Sequence, residues 1–203
     1  MSMTSGVHEG LSDEELIRRY LRGDQEACGV LVRRHQERVF GFLLGMVRDR
    51  HVANDLFQDT WLNAISALNR QRSSYEDSGR FVYWVIRIAR NAALDHFRRR
   101  SRWKDNGADE TYWDRLEDEA PLPDTKLAMA EDLAVLKKSI ALLPQAQREV
   151  VLLRQEGLTF REIAEMTNVS INTALGRMRY ALINLRKLMR NAGYLPAEAP
   201  ASV

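Results

Sequence analysis

Between Leu158 and Arg190 the apolar positions trace two helices separated by a tight turn. Thr159 followed three residues later by Glu162 is a capping-box signature, and Ile163, Ala164 and Met166 give the short helix it opens a buried side. Thr167-Asn168-Val169 breaks the period. Asn tolerates the left-handed backbone of a tight turn, and Val169 is placed to plug the angle between the helices. Ser170 suits the N-cap of a second helix. In that helix Ile171, Ala174, Met178, Ala181, Leu185 and Leu188 recur at spacings of three and four as one apolar stripe. Its other side shows Asn172, Thr173, Gly176, Arg177, Arg179 and Tyr180. Leu175 lies one residue past Ala174, about 100° around the helix, at the margin of the stripe or outside it. A short helix, a turn and a helix with a polar, basic face suit a DNA-reading helix-turn-helix. An ordinary helical hairpin with a solvated face shows the same pattern, so this stretch alone leaves both readings open.

The rest of the chain is also helical by period. Residues 1–10 are small and polar, have little to bury, and are expected to be disordered. Ser12 with Glu15 opens a helix to about Arg22; Gly23 closes it and Asp24 caps the next, which runs to about Val47. Val30, Leu31, Val39, Phe42, Leu43 and Met46 are its expected core, Gly41 and Gly45 its expected close-approach positions, and His35 is expected on its surface. A third helix, His51 to Leu68, sets Asp55, Gln58, Asp59 and Leu62 on one side and Val52, Leu56, Thr60 and Asn63 on another. With no nucleophile or metal ligand nearby, its carboxylate–amide–carboxylate patch fits a solvated face or a protein-docking face better than acid–base catalysis. Asn69 to Gly79 is a loop by composition. A fourth helix, Arg80 to Trp103, is expected to bury Phe81, Trp84, Val85, Ile88, Ala92 and Leu94 or Phe97. Arg87, Arg90, Asn91, Arg98, Arg99, Arg100 and Arg102 crowd its remaining surface, with Tyr83 and His96 interleaved. Arginines beside aromatic rings suit single strands, because phosphates pair with guanidinium groups while bases stack. Snorkelling over core aromatics, and a helix dipole that favours cations at its C-terminus, explain the same residues structurally. Lys104 to Asp124 has no period and contains Asn106-Gly107, Pro121 and Pro123, the marks of a flexible linker, within which Tyr112, Trp113 and Leu116 could form a short docking helix. Helices from about Ala128 to Leu142 and from Gln145 to Gln155 then precede the helix-turn-helix.

The formal charge of +2 over 203 residues says little until it is divided. Residues 11–100 hold 16 Arg against 12 acids, and residues 129–190 hold 10 basic against 6 acidic side chains. Residues 101–128 between them hold 4 basic and 8 acidic. Two basic blocks flanking an acidic one suggest two nucleic-acid-facing domains and a linker. The single cysteine, Cys28, excludes an intramolecular disulfide and fits a small buried residue. No apolar run reaches the length of a membrane span and no signal-peptide core is present, so a cytoplasmic protein is expected. No Gly-rich phosphate loop, metal-ligand spacing or catalytic constellation appears; neither a cofactor, a metal nor a small-molecule substrate is expected.

Three stretches together resemble the extracytoplasmic-function group of bacterial sigma factors. Asp55-Leu56-Phe57-Gln58-Asp59-Thr60-Trp61 is similar to that group's polymerase-binding helix. Phe81 to Asn91, followed by Asp95-His96-Phe97-Arg98-Arg99-Arg100, is similar to its promoter-melting and −10-reading helix, and Leu142-Leu143-Pro144 through Leu185-Arg186 to its −35-reading domain. The resemblance implies an all-α protein of two small helical domains joined by a flexible acidic linker, the second ending in a helix-turn-helix. It places a sigma-two-like domain at 11–103, a linker at 104–127, a sigma-four-like domain at 128–191 and a disordered tail at 192–203.

By the same resemblance Asp55, Gln58, Asp59 and Trp61 dock on core RNA polymerase. Arg70, Arg72, Ser73, Ser74, Tyr75, Arg80, Arg87, Arg90, Asn91, His96, Arg98 and Arg99 handle the −10 region, where the loop captures an extruded base at a cost of a few kcal/mol. Ser170, Asn172, Thr173, Leu175, Gly176, Arg177, Arg179 and Tyr180 face the −35 element. Promoter DNA, core polymerase and an anti-sigma factor are the implied partners, and a stress- or envelope-responsive regulon the implied target. The chain departs from the group at Leu175 and Gly176, where a basic residue and a serine are common. Two alternatives follow: a helix-turn-helix regulator, which would need a sensor domain absent from these helices, and a degenerate sigma that docks without reading DNA.

Overall fold

The computed structural model describes residues 8, 10–70, 80–104 and 127–194, and the side chains of all of these except 102–104 and 127–132. These residues form helices α1 (Asp13–Leu21), α2 (Gln25–Val47), α3 (Arg50–Arg70), α4 (Phe81–Lys104), α5 (Leu127–Ala141), α6 (Gln145–Gln155), α7 (Phe160–Thr167) and α8 (Ile171–Asn191), with no strand among them. The loop positions Arg72, Ser73, Ser74 and Tyr75, the acidic stretch and its Tyr112, Trp113 and Leu116 lie outside the described residues. Backbone contacts divide the chain into two compact units, residues 1–94 and 95–203, a division that falls inside α4.

In the first unit α1 and α3 both pack on α2. Ser12 Oγ accepts from Glu15 N at the start of α1, and Asp24 Oδ1 accepts from Glu26 N and Ala27 N at the start of α2. Val30, Leu31, Val39, Phe42, Leu43 and Met46 are buried as the period predicts. His35 is not on the surface: it is 6% exposed, with its Nε2 2.7 Å from Asp13 Oδ2 and its ring 5.8 Å from that of Phe81. Arg34 donates to the other oxygen of Asp13 at 2.6 Å and to the Leu11 carbonyl at 2.8 Å. A polar residue on the core side of α2 is thus satisfied by the first residue of α1, a pairing that helical period cannot reveal. His8, in the stretch expected to bury little, is also buried, with Nε2 2.7 Å from Asp24 Oδ2. Gly41 admits no close helix, since a Cβ there would meet nothing within 4 Å. The α2 core runs through Val39, Phe42 and Met46, which turns Gly41 outward.

An aromatic chain joins α2, α3 and α4. Phe40 meets Phe57 at 6.0 Å, Phe57 meets Trp61 at 6.3 Å, Trp61 meets Phe81 at 6.4 Å and Phe81 meets Trp84 at 5.8 Å. The buried side of α4 is Phe81, Val82, Val85, Ile86, Ala89 and Ala93, so Trp84, Ile88 and Ala92 form its half-buried rim instead of its centre. Apolar residues fill nearly every position from 81 to 89, and such a run supports several stripes.

The second unit is built round α8, against which α5, α6 and α7 pack. Arg148 is buried and donates to the carbonyls of Leu143 (2.9 Å) and Ala141 (3.2 Å), which fastens the α5–α6 turn. Asn184 Nδ2 donates to Gln147 Oε1 at 2.8 Å and ties α8 to α6. Gly157, at φ 91°, turns the chain out of α6.

Candidate polymerase and nucleic-acid surfaces

The capping box expected at α7 is formed. Thr159 Oγ1 accepts from Glu162 N at 3.3 Å, and Thr159 N donates to Glu162 Oε2 at 2.7 Å. Asn168 takes φ 54° and ψ 48° and ends α7 in the left-handed conformation. Ser170 then caps α8 through Thr173 N at 3.0 Å, and its hydroxyl also lies 2.9 Å from Thr173 Oγ1. The two hydroxyls are therefore in the first place a cap. Helix, left-handed turn, cap and helix follow with no residue to spare, so the start of α8 is held by local hydrogen bonds.

The buried side of α8 is narrower than its apolar stripe. Ala174, Ala181 and Leu185 are buried; Met178 and Leu188 are half-buried; Ile171, expected inside, is exposed. Ile171 is the first residue of the helix, ahead of the turn where the neighbouring helices cover it. Leu175 is 43% exposed, which places it outside the core. At 100° per residue, Asn172, Leu175, Gly176, Arg179 and Ile183 share one outward face. All are exposed except Gly176, which is half-buried. Tyr180 is exposed as well, while Arg177 is half-buried toward the core side.

On α3 the expected face is real. Asp55, Gln58 and Asp59 are exposed, and Leu62, one further step along the same stripe, is 64% exposed. Leu56 and Thr60 point the other way and are buried; the Thr60 hydroxyl donates to the Leu56 carbonyl at 2.6 Å. Trp61 does not belong to the exposed face. It is 6% exposed, set edge-on to Phe57 and tilted against Phe81 in the aromatic chain, and supports the face from behind. Leu62 lies on this face as its spacing from Asp55 and Asp59 predicts, although the resemblance does not number it among the docking residues.

On α4 Arg87, Asn91, Arg98 and Arg99 are exposed, Arg90 and His96 half-buried. Arg98 donates to Asp95 Oδ1 at 2.8 Å, so this cation is partly neutralised by a neighbour. Ahead of the N-terminal end of α4 the exposed Arg80 places its guanidinium 5.2 Å from the centre of the Tyr83 ring, a cation–aromatic contact within the chain. Arg70 is exposed at the last residue of α3. Among the described residues no His, Cys, Asp and Glu group could hold a metal ion, and no helix is long and apolar enough to cross a membrane.

Two protein-family profiles match the chain: Sigma-70 region 2 over residues 31–102 and Sigma-70 region 4 over residues 133–181. The chain is 34% identical over 177 residues to the RNA polymerase sigma factor CarQ of Myxococcus xanthus, covering 85% of this chain and 95% of that one. It is 31% identical over 191 residues to the ECF RNA polymerase sigma factor SigM of Mycobacterium tuberculosis, covering 94% and 89%. Its fold is similar to that of the sigma factor RpoE of Bartonella quintana, solved in complex with the anti-sigma factor NepR. There the TM-score is 0.57 at 24% identity, over 75% of this chain and 89% of that chain.

Proposed function

The chain belongs to the extracytoplasmic-function group of RNA polymerase sigma factors, and we propose on that basis how its exposed faces divide the work. As a promoter-specificity subunit it binds core RNA polymerase, recognises promoter DNA and starts transcription. Its role is binding and positioning, and it acts in the cytoplasm, where its polymerase and DNA are. The observation that carries this reading is the presence of regions 2 and 4 in one chain, in that order.

Asp55, Gln58, Asp59 and Leu62 on α3 dock on the polymerase. Their exposure supports this: three hydrogen-bonding groups and one large apolar side chain share one outward stripe, the mix of polar and apolar groups that protein interfaces use. Arg80, just ahead of α4, and Tyr83, Arg87, Asn91 and Arg99 on α4 hold the −10 region, cations on phosphates and the Tyr83 ring against a base. The outward face of α8 enters the major groove of the −35 element. An anti-sigma factor regulates the chain, an extension from the complex in which the Bartonella quintana neighbour was solved. In gel filtration the full chain should co-elute with purified core polymerase, and Gln58→Ala with Asp59→Ala should not, at an unchanged unfolding midpoint. Failure of the unaltered chain to co-elute would remove the reading.

A further inference from the structure

We infer that Leu175 reads a thymine methyl group in the −35 duplex and that Gly176 beside it lets the α8 backbone approach that duplex closely; this rests on the promoter-reading role of α8 proposed above. Leu175 is a large apolar side chain left 43% exposed in the second turn of the helix that follows the helix-turn-helix turn. It lies outside the buried side of α8, which is Ala174, Ala181 and Leu185. Its neighbours on the outward face are Asn172 and Arg179, a base-edge and phosphate pair by chemistry, so the occupant of this face is a nucleic acid duplex. Leucine has no donor or acceptor and cannot bond the O6 and N7 of guanine or the N6 and N7 of adenine. The one apolar group that a base pair presents in the major groove is the thymine C5-methyl.

Gly176 fits the same account. A glycine inside a helix lowers its stability, and nothing among the described residues asks for one here, because a Cβ at position 176 would meet nothing within 4 Å beyond the adjoining helix backbone. The space it leaves open lies on the Asn172–Arg179–Ile183 face, where a duplex would come.

The test uses the holoenzyme, core polymerase with the full chain, to select −35 sequences from a random duplex pool. Each thymine of the selected duplex is then replaced in turn by uracil, which lacks only the methyl. At one position the replacement should weaken binding of the unaltered holoenzyme roughly four-fold, the worth of one buried methyl. The same replacement should leave Leu175→Ala and Leu175→Gln indifferent, with their unfolding midpoints unchanged. Gly176→Ala should raise the unfolding midpoint yet weaken duplex binding. A duplex without thymine facing α8, or a uracil penalty equal in the unaltered chain and both Leu175 variants, would overturn the inference while leaving promoter reading intact. A holoenzyme that forms but selects no sequence would instead remove the promoter-reading premise and mark a chain that docks without reading.

Discussion

The two units are stabilised by different kinds of contact. The first is tied across sequence: Asp13 at the start of α1 holds Arg34 and His35 of α2, His8 holds Asp24, and an aromatic chain from Phe40 to Trp84 crosses three helices. In the second the helix-turn-helix is tied locally, since the Thr159–Glu162 box, the left-handed Asn168 and the Ser170 cap are each a few residues long, and Asn184 to Gln147 adds a tie across sequence. The contrast extends to the two basic helices. α4 buries Val82, Val85 and Ile86 and half-buries Ile88 and Leu94, whereas α8 buries two alanines and Leu185 and leaves Ile171, Leu175, Leu182 and Ile183 exposed. Large apolar groups therefore hold α4 in its fold, while on α8 they are available to a partner. Short-range caps hold the start of α8 without using its outward face.

The sharpest way to break this comparison is to make one change in both helices. Ile86 is fully buried, and Ile86→Ala should cost the first unit about 2–5 kcal/mol in denaturant unfolding. Ile183 is 48% exposed, and Ile183→Ala should stay within about 0.5 kcal/mol. Similar costs at both sites would erase the distinction between the helices.

A smaller effect is expected at Asp13. Burial pushes its carboxyl up, but hydrogen bonds from His35 and Arg34 and their positive charges outweigh this and hold it below the ordinary value. A depressed folded pKa adds stability that is complete above the unfolded value of about 3.9 and is lost as pH falls through the lower folded value. Acid titration followed by circular dichroism should therefore show a stability loss beginning below about pH 5, and Asp13→Asn should remove Asp13's share of it. At neutral pH the same substitution should cost about 1–3 kcal/mol, because it removes the carboxylate that pairs with Arg34 and hydrogen-bonds His35. A titration curve unaltered by Asp13→Asn would place the acid sensitivity elsewhere.

In the second unit the comparable substitution is Thr159→Ala, which deletes one local cap and should cost about 1 kcal/mol by thermal unfolding. A loss several times larger would mean that the helix-turn-helix depends on more than its caps. The least effect on stability is expected on the α3 face, where Leu62→Ala should shift it by within about 0.5 kcal/mol and yet weaken polymerase binding. An affinity equal to that of the unaltered chain would take Leu62 out of the interface.

The local devices were legible in the residues themselves. Thr159 with Glu162, Asn168 and Ser170 each act over three or four positions, so spacing alone locates them. The α3 face was legible for the same reason, since Asp55, Gln58 and Asp59 contrast with Leu56 and Thr60 at helical spacing. What escaped was long-range or ambiguous. His35 looked like a surface residue because its acceptor, Asp13, lies 22 positions away on another helix. Trp61 sits next to the exposed α3 stripe in sequence, yet its ring turns into the aromatic chain. The core side of α4 was displaced because apolar residues fill almost every position there. Leu175 stood at a margin that only the packing of α5, α6 and α7 on α8 could resolve.

The central claim is that this chain gives polymerase its promoters, and run-off transcription measures it directly. Purified core polymerase with and without the full chain is supplied with genomic fragments, and transcript starts are mapped. The account predicts discrete transcripts that appear only with the chain present and disappear with Gln58→Ala and Asp59→Ala. Their start sites should share a common upstream element at the −35 position. A transcript pattern identical with and without the chain would contradict it.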